Sequence, residues 1–311
     1  MIRALRPEDA PAVAAVQRES EVAEAVPADG IVHWFETQPE RACVAGWVAV
    51  EDEEVVGWAR ARLLWKTSTP GVGEVWAFVP PRARGRGHGG RLVEAALAHL
   101  RDAAARVLES WAVVDDGRRF LEARGFRPGR SQRVLVLDLA GVEAPEPAPP
   151  AGVRVLPLRE VLDRPRELHE LDAAAVADVP ETFVYDDVRY DEWRRTELGN
   201  PALELDGSFV ALAGELPVAY AFVYADRAAG VAANDMTGTL PAYRRRGLAR
   251  LVKLATIRWA RAEGFGRFVT ESDDENVGML RLNESLGYRQ VAVETEYLRD
   301  VRAEPRSRTA V

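Results

Sequence analysis

The clearest chemistry in the sequence lies in two short turns rich in arginine and glycine. One reads Arg84-Gly85-Arg86-Gly87-His88-Gly89 and the other Arg244-Arg245-Arg246-Gly247-Leu248-Ala249. With the residues that lead into them, from Val79 and from Thr239-Leu240, they align without a gap at an offset of 160. Small residues let a backbone come close to a ligand, and the N–H groups at a helix start face an anion with the helix dipole behind them. A pyrophosphate suits such a turn, and the leading arginine, Arg84 or Arg244, adds charge-assisted bonds. Glycine- and arginine-rich turns also arise from capping and solvation, but two of them in one register make coincidence a poor account.

Such a turn needs a strand before it and a helix behind it. In the second half Leu248, Leu251, Val252, Ala255, Trp259 and Ala262 recur at helical spacing and form one apolar face. Gly264-Phe265-Gly266 ends that helix, a strand is expected over 267–272, and a further helix from Asp274 or Asn276 to Gly287. The first half is read as a helix over 92–108, a short strand over 111–114, and a close at Gly125-Phe126. Upstream, 48–64 and 209–225 each read as two strands joined by a tight turn, and 2–10 resembles 153–160. The chain is therefore an internal repeat. Pro145, Pro147, Pro149 and Pro150 favour an extended connector, so the halves are placed at 1–140 and 153–303 with a linker over 141–152.

Composition narrows the function classes. Two halves of about 150 residues can each bury a core. No stretch reaches the roughly 18 apolar residues of a membrane span, and the start MIRALRPEDA lacks a signal peptide's apolar segment, so a cytoplasmic protein is the expectation. Cys43 is the only cysteine and the four histidines are scattered, which excludes an intramolecular disulfide and leaves no metal-ligand spacing. The arginine clusters sit in a chain of net charge −8 and already have a pyrophosphate to explain them, which argues against nucleic-acid binding. Lys66 and Lys253 are the only lysines among 41 basic residues, a bias read as that of a GC-rich, bacterial genome.

The two turns, together with the pattern Asn276-x-x-Met279-x-x-x-Asn283-x-x-x-Gly287-Tyr288, resemble the GCN5-related N-acetyltransferase superfamily. The resemblance covers both halves, and the layout looks like the tandem acetyltransferases of actinobacteria, the mycothiol synthase type. It implies an α/β (α+β) fold of two tandem domains, each a mixed β-sheet flanked by helices and splayed between its fourth and fifth strands, with acetyl-CoA in the splay. The fourth and fifth strands of the second half would be 235–240 and 267–272. By the same resemblance, backbone around Thr239 and Leu240 would hold the pantetheine and thioester. Residues Arg244, Arg245, Arg246, Gly247, Leu248 and Ala249 would hold the pyrophosphate, and Asn276, with Met279 and Asn283 on its helix, the pantetheine arm. Val79, Arg84, Gly85, Arg86, Gly87, His88 and Gly89 would do the same in the first half, which lacks the Asn-x-x-Met-x-x-x-Asn pattern and has only Asp115 and Asp116 nearby.

Transfer to an amine of pKa ~10.4 needs a proton acceptor. Asp235, four residues before Thr239 and on the same side of a regular strand, is the first candidate, and its counterpart at the fixed offset is Val75. Glu271, then Glu294 or Glu296, are alternatives, and a backbone N–H at a strand bulge near Leu240 would steady the developing oxyanion. The general-acid tyrosine of many family members is absent, Leu282 and Asn283 or Phe120 and Leu121 standing in its place. A thiol of pKa ~8.5 can leave without it. Tyr220 and Tyr224 read as strand packing. Asp186, Asp187, Asp191 and Glu192, set among aromatics, are candidates to receive a cationic amine. The expectation is an acetyl-CoA-dependent N-acetyltransferase acting on a small-molecule amine, without metal, active in the second half. The alternatives are an inactive acyl-CoA sensor and an enzyme acting on a protein amine.

Overall fold

The structure is a computed structural model that describes residues 1–20, 25–146, 148–186 and 188–301. Pro147 and Asp187 therefore lie outside the described residues. The first half runs β1 (Ile2–Ala4), α1 (Ala10–Ser20), α2 (Ala28–Thr37), β2 (Ala45–Glu51), β3 (Glu54–Leu63), β4 (Val72–Phe78), α3 (His88–Asp102), β5 (Val107–Ala112), α4 (Asp115–Glu122) and β6 (Arg127–Asp138). The second runs β7 (Val153–Pro157), α5 (Pro165–Val176), α6 (Tyr190–Trp193), β8 (Phe209–Ala213), β9 (Leu216–Asp226), β10 (Val231–Thr239), α7 (Leu248–Ala262), β11 (Arg267–Asp273), α8 (Val277–Ser285) and β12 (Arg289–Asp300). Helices α3 and α7 each span 15 residues and start 160 positions apart.

All twelve strands join one sheet in the order β1-β2-β3-β4-β5-β12-β6-β11-β10-β9-β8-β7. Each half contributes a mixed array with a parallel pair, β4 with β5 and β10 with β11, but their last strands are exchanged. Strand β12 of the second half lies antiparallel to β5 of the first, and β6 of the first lies antiparallel to β11 of the second. The two exchanged strands then pair with each other, with register shifts at Gln290/Ala292 and Thr295/Tyr297. What the sequence presents as two sheets is therefore one, continuous across the seam.

Helices α1 and α2 pack on one face with Val48, Trp58 and Phe78, and α5 packs on that same face with Val210, Tyr220 and Phe222. Helices α3 and α4 cover the other face of the first half, and α7 and α8 that of the second. Helix α7 is more enclosed than a one-sided apolar stripe implies. Residues 252–257 are all buried, whereas Ala262, expected on the buried face, is exposed. Val142 and Ala144 close that side, and Arg258 Nη1 donates to the Ala144 carbonyl at 3.1 Å, so the start of the proline-rich linker is docked.

Two boundaries of the first half differ from expectation, the end of α3 and the next strand, β5, which runs Val107–Ala112 rather than over 111–114. Helix α3 stops at Asp102 rather than at 108, because Ala104 takes a left-handed conformation (φ 61) and turns the chain into β5. Alanine propensity favoured helix, but the parallel pairing of Val107 with Val72 and Leu108 with Gly73 prevails. Helix α8 starts after Asn276, whose Oδ1 accepts from the Met279 N–H at 3.2 Å as an N-cap.

Candidate functional site

The two arginine–glycine turns share one backbone course. A single 3-10 turn, Pro81–Ala83 or Pro241–Tyr243, leads to an extended Arg84 or Arg244, then to a left-handed residue. That residue is Gly85 (φ 77) in the first turn and Arg245 (φ 60) in the second, where a non-glycine residue carries the strain. Gly87 and Gly247, both at φ 79, cap the helices that follow. A Cβ on Gly247 would meet no atom within 4 Å, so the space above it is open. Among the described residues, no hydrogen bond takes up the N–H groups of Arg245, Arg246 or Gly247, and those of the first helical turn are directed the same way. Such a ring of amides is a receptor for an anion.

The turns differ in how far the protein neutralises them. In the first, Arg84 bonds Asp116 at 3.3 Å and Arg86 bonds Glu51 at 2.8 Å, while His88 Nε2 stands 3.5 Å from the same Glu51. In the second, Arg244 pairs with Asp178, Arg246 donates to the Ala242 carbonyl at 3.0 Å, and Arg245 has no carboxylate partner among the described residues.

A cleft of about 790 Å³ opens beside the second turn. Strand β10 pairs with β11 only from Val231 to Ala233 and then diverges, while its other edge stays on β9. Between Asn234 and Thr237 the β9 register skips, so β10 carries a bulge of one extra residue. Asn234, 2% exposed, pins the bulge: its Nδ2 donates to the Phe222 carbonyl at 2.9 Å, and Thr237 Oγ1 donates to its Oδ1 at 2.9 Å. Lys253 Nζ donates to that same Oδ1, and Thr270 Oγ1 donates to the Asn234 carbonyl at 2.9 Å.

Asp235, Thr239, Arg244, Arg245, Gly247, Leu248, Ala249, Glu271, Asn276 and Met279 all line this cleft. Three residues named with them do not. Leu240 gives its N–H to the Val218 carbonyl at 2.9 Å, and the bulge lies at 234–237, so the expected backbone donor near Leu240 is already engaged. Arg246 points to its own turn, and Asn283 is fully buried, its Nδ2 donating to Ser272 Oγ at 3.1 Å. Strand β4 pairs with β3 without any skip, Val75 opposite Ala61 and Trp76 opposite Arg60. Matching the registers puts Val75 where Asn234 stands and the single Trp76 where the bulge Asp235-Met236 stands. The counterpart of Asp235 is therefore Trp76, not Val75, because the bulge shifts the offset by one.

Asp235 is solvent-exposed in the cleft. The protein packed around its carboxyl and repulsion from Glu197 and Asp172 raise it to about 7, with Lys66 and the water of the cleft acting in the opposite sense. Tyr220 and Trp193 both donate to Asp172, the latter at 2.8 Å. Glu197 receives Lys66 at 3.2 Å and the Tyr224 hydroxyl at 3.3 Å. Tyr220 and Tyr224 are strand residues whose hydroxyls serve these two carboxylates. Burial lowers Lys253, 1% exposed, to about 7. Sequence reasoning passed over Asp172, Glu197 and Lys253; only Lys253, a lone lysine inside an apolar helical run, carried a signal.

A second cavity, of about 320 Å³, adjoins the cleft, and Arg130, Gln132, Glu181 and Glu271 face both. Gln132 Nε2 donates to Glu271 at 2.8 Å and to Glu294 at 2.6 Å. The acidic residues expected to receive an amine lie elsewhere. Glu192 is held by Arg41 at 2.6 Å and by Arg189, bonds that pull it down to about 2, and Asp186 and Asp191 are exposed outside both cavities. Glu181 and Tyr185 from the same stretch do face the second cavity.

The model of the acetyltransferase (GNAT) family matches the chain twice, over residues 10–126 and 166–288. A mycothiol acetyltransferase of Rhodococcus opacus is 28% identical over 284 residues, covering 87% of this chain and 84% of the relative. One of Thermobispora bispora is 30% identical over 258 residues, covering 80% and 81%. Among solved structures, a tandem GNAT protein from the clavulanic acid biosynthesis pathway superposes with a TM-score of 0.76 at 20% identity, over 98% of this chain and 99% of that one. A GCN5-related N-acetyltransferase of Sphaerobacter thermophilus gives 0.68 at 19% identity, over 96% and 95%.

Proposed function

The chain belongs to the acetyltransferase (GNAT) family and is an N-acetyltransferase; from that premise we propose that its second half, within 153–303, moves an acetyl group from acetyl-CoA to the primary amine of a small molecule. The observation that carries this reading is the bulge at 234–237 at the mouth of the β10–β11 divergence. It frees a backbone edge for a pantetheine arm and turns a carboxyl poised near neutrality into the cleft.

The fit to acetyl-CoA rests on the turn. A side chain at Gly247 would fill the space an anion needs, and the unclaimed N–H groups with Arg244 and Arg245 supply its charge complement. When bound, the co-substrate supplies an activated thioester acyl group. Asp235 takes the proton of the attacking amine, its raised pKa suiting it to accept near pH 7. Asn276 spends its Oδ1 on the helix cap and keeps its Nδ2 for the pantetheine arm. The relatives named mycothiol acetyltransferase support a small-molecule acceptor. In the first half β4 has no bulge against β3, Trp76 stands in its place, and Asp116 and Glu51 neutralise the turn, which supports a non-catalytic role.

Thiol release from acetyl-CoA, followed with a panel of amines and with none, tests the proposal. Amine-dependent release that disappears in Asp235→Asn and persists in Arg84→Ala supports it. Acetyl-CoA binding without amine-dependent release would leave a sensor.

A further inference from the structure

Building on this acetyl-transfer reading, we propose that the acceptor is at least dicationic, and that the cavity at the seam of the two halves receives its second cationic group against Glu109 and Glu294. The seam cavity lies on the same face of the sheet as Asp235. Its floor is the exchanged region: Glu109 from β5, Glu294 from β12, Gln132 from β6 and Glu271 from β11. An amine at Asp235 therefore has its remaining body directed across these strands.

The charge of the lining is one-sided. Five carboxylates, Glu74, Glu109, Glu181, Glu271 and Glu294, stand against two guanidiniums, Arg60 and Arg130. Arg130 is already engaged by Glu181 and by Asp273 at 2.9 Å, and Arg60 lies over the Trp34 ring at 4.6 Å. Glu109 is 6% exposed and receives one hydrogen bond, from Trp111 Nε1 at 2.8 Å, through Oε1 only. Glu74 is paired through Oε2 with Arg62 at 2.8 Å, and only its Oε1 is buried without a partner. Burial, then the neighbouring Glu74 and Glu296, raises Glu109 to about 7. An ammonium here would gain the second carboxylate oxygen of Glu109, which takes no hydrogen bond among the described residues.

Strand spacing sets the length. Adjacent strands lie about 4.8 Å apart, so from Asp235 on β10 Glu294 is three steps, roughly 14 Å, and Glu109 four steps, roughly 19 Å, away. A short diamine cannot span this distance.

The test uses the full chain with acetyl-CoA and three amines: decylamine, diaminodecane and diaminopropane. The expected result is a kcat/KM for diaminodecane at least tenfold above the other two. Glu109→Gln should erase that advantage by raising the KM for diaminodecane while its kcat holds, and Glu109→Asp should restore part of it. Acetylation of decylamine as efficient as that of diaminodecane overturns the inference and leaves the acetyl-transfer reading standing. Failure to acetylate any of the three, while other amines are acetylated, also overturns it. Failure with every amine removes the reading on which it rests.

Discussion

At the residue scale, Asp235 in the bulge and Lys253, which donates to the bulge residue Asn234, carry opposite perturbations. Asp235 is raised to about 7, so it becomes a base only as pH rises through that value. The kcat/KM should fall about tenfold per unit below it, and Asp235→Asn should abolish this limb with a loss of about 10²–10⁴-fold. A pH–rate profile of both proteins decides this. Lys253 is lowered from the usual range to about 7, so between there and its unfolded value near 10.4 the unfolded chain holds the extra proton. Stability should therefore rise with pH through that window, and the cost of burying Lys253 is complete below about 7. Lys253→Met should melt higher than the parent at pH 6 and lose that advantage towards pH 10, as thermal unfolding across pH would show. Neither value was legible in the sequence, which placed Asp235 on the right strand but had no means of showing Asp172 and Glu197 around it. For Gly247 the left-handed turn was legible in the sequence: Gly247→Val would force φ 79 on a β-branched residue and put a side chain in the space proposed for the anion. Calorimetric affinity for acetyl-CoA should collapse while the far-UV spectrum stays native.

At the element scale, the halves diverge by a single residue. Both carry a strand, a 3-10 turn and a 15-residue helix with matching torsions, and this was legible because arginine, glycine and proline dictate local backbone. The bulge was not, since one extra residue in β10 leaves no local signature and is set by pairing with β9. A constant offset of 160 consequently matched Asp235 with the wrong partner. Replacing Asp235-Met236 by a single tryptophan would copy β4, restore continuous pairing to β9 and close the free edge. Acetyl-CoA affinity should drop by at least an order of magnitude, and thermal stability should hold or rise. Retained affinity would show that the divergence of β10 from β11 does not depend on the bulge.

At the scale of the whole molecule, the exchange of β6 and β12 makes the covalent order of the chain a poor guide to its physical units. Neither final strand had a partner legible in the sequence, because an antiparallel edge accepts either one and only long-range packing decides between them. Residues 1–140 alone would expose β5 without β12 and leave β6 without a neighbour, and the second half alone would have the matching defect at β11. Unpaired edges of this length promote aggregation, so each half expressed separately should be insoluble or expanded. The connector contributes little to the association. Residues 148–150 are exposed, while the halves are also joined by Arg18 to Asp226 at 3.0 Å and by Arg41 to Glu192 at 2.6 Å. A protease site inserted there and cut after folding should therefore leave two fragments that co-elute and keep acetyltransferase activity within about twofold, the interleaved strands holding what the peptide bond no longer does. Once denatured together, the cut fragments should refold more slowly and with concentration dependence, since strand exchange has become a bimolecular step. Separation of the cut fragments under native conditions would mean that the shared sheet does not hold the halves together in solution.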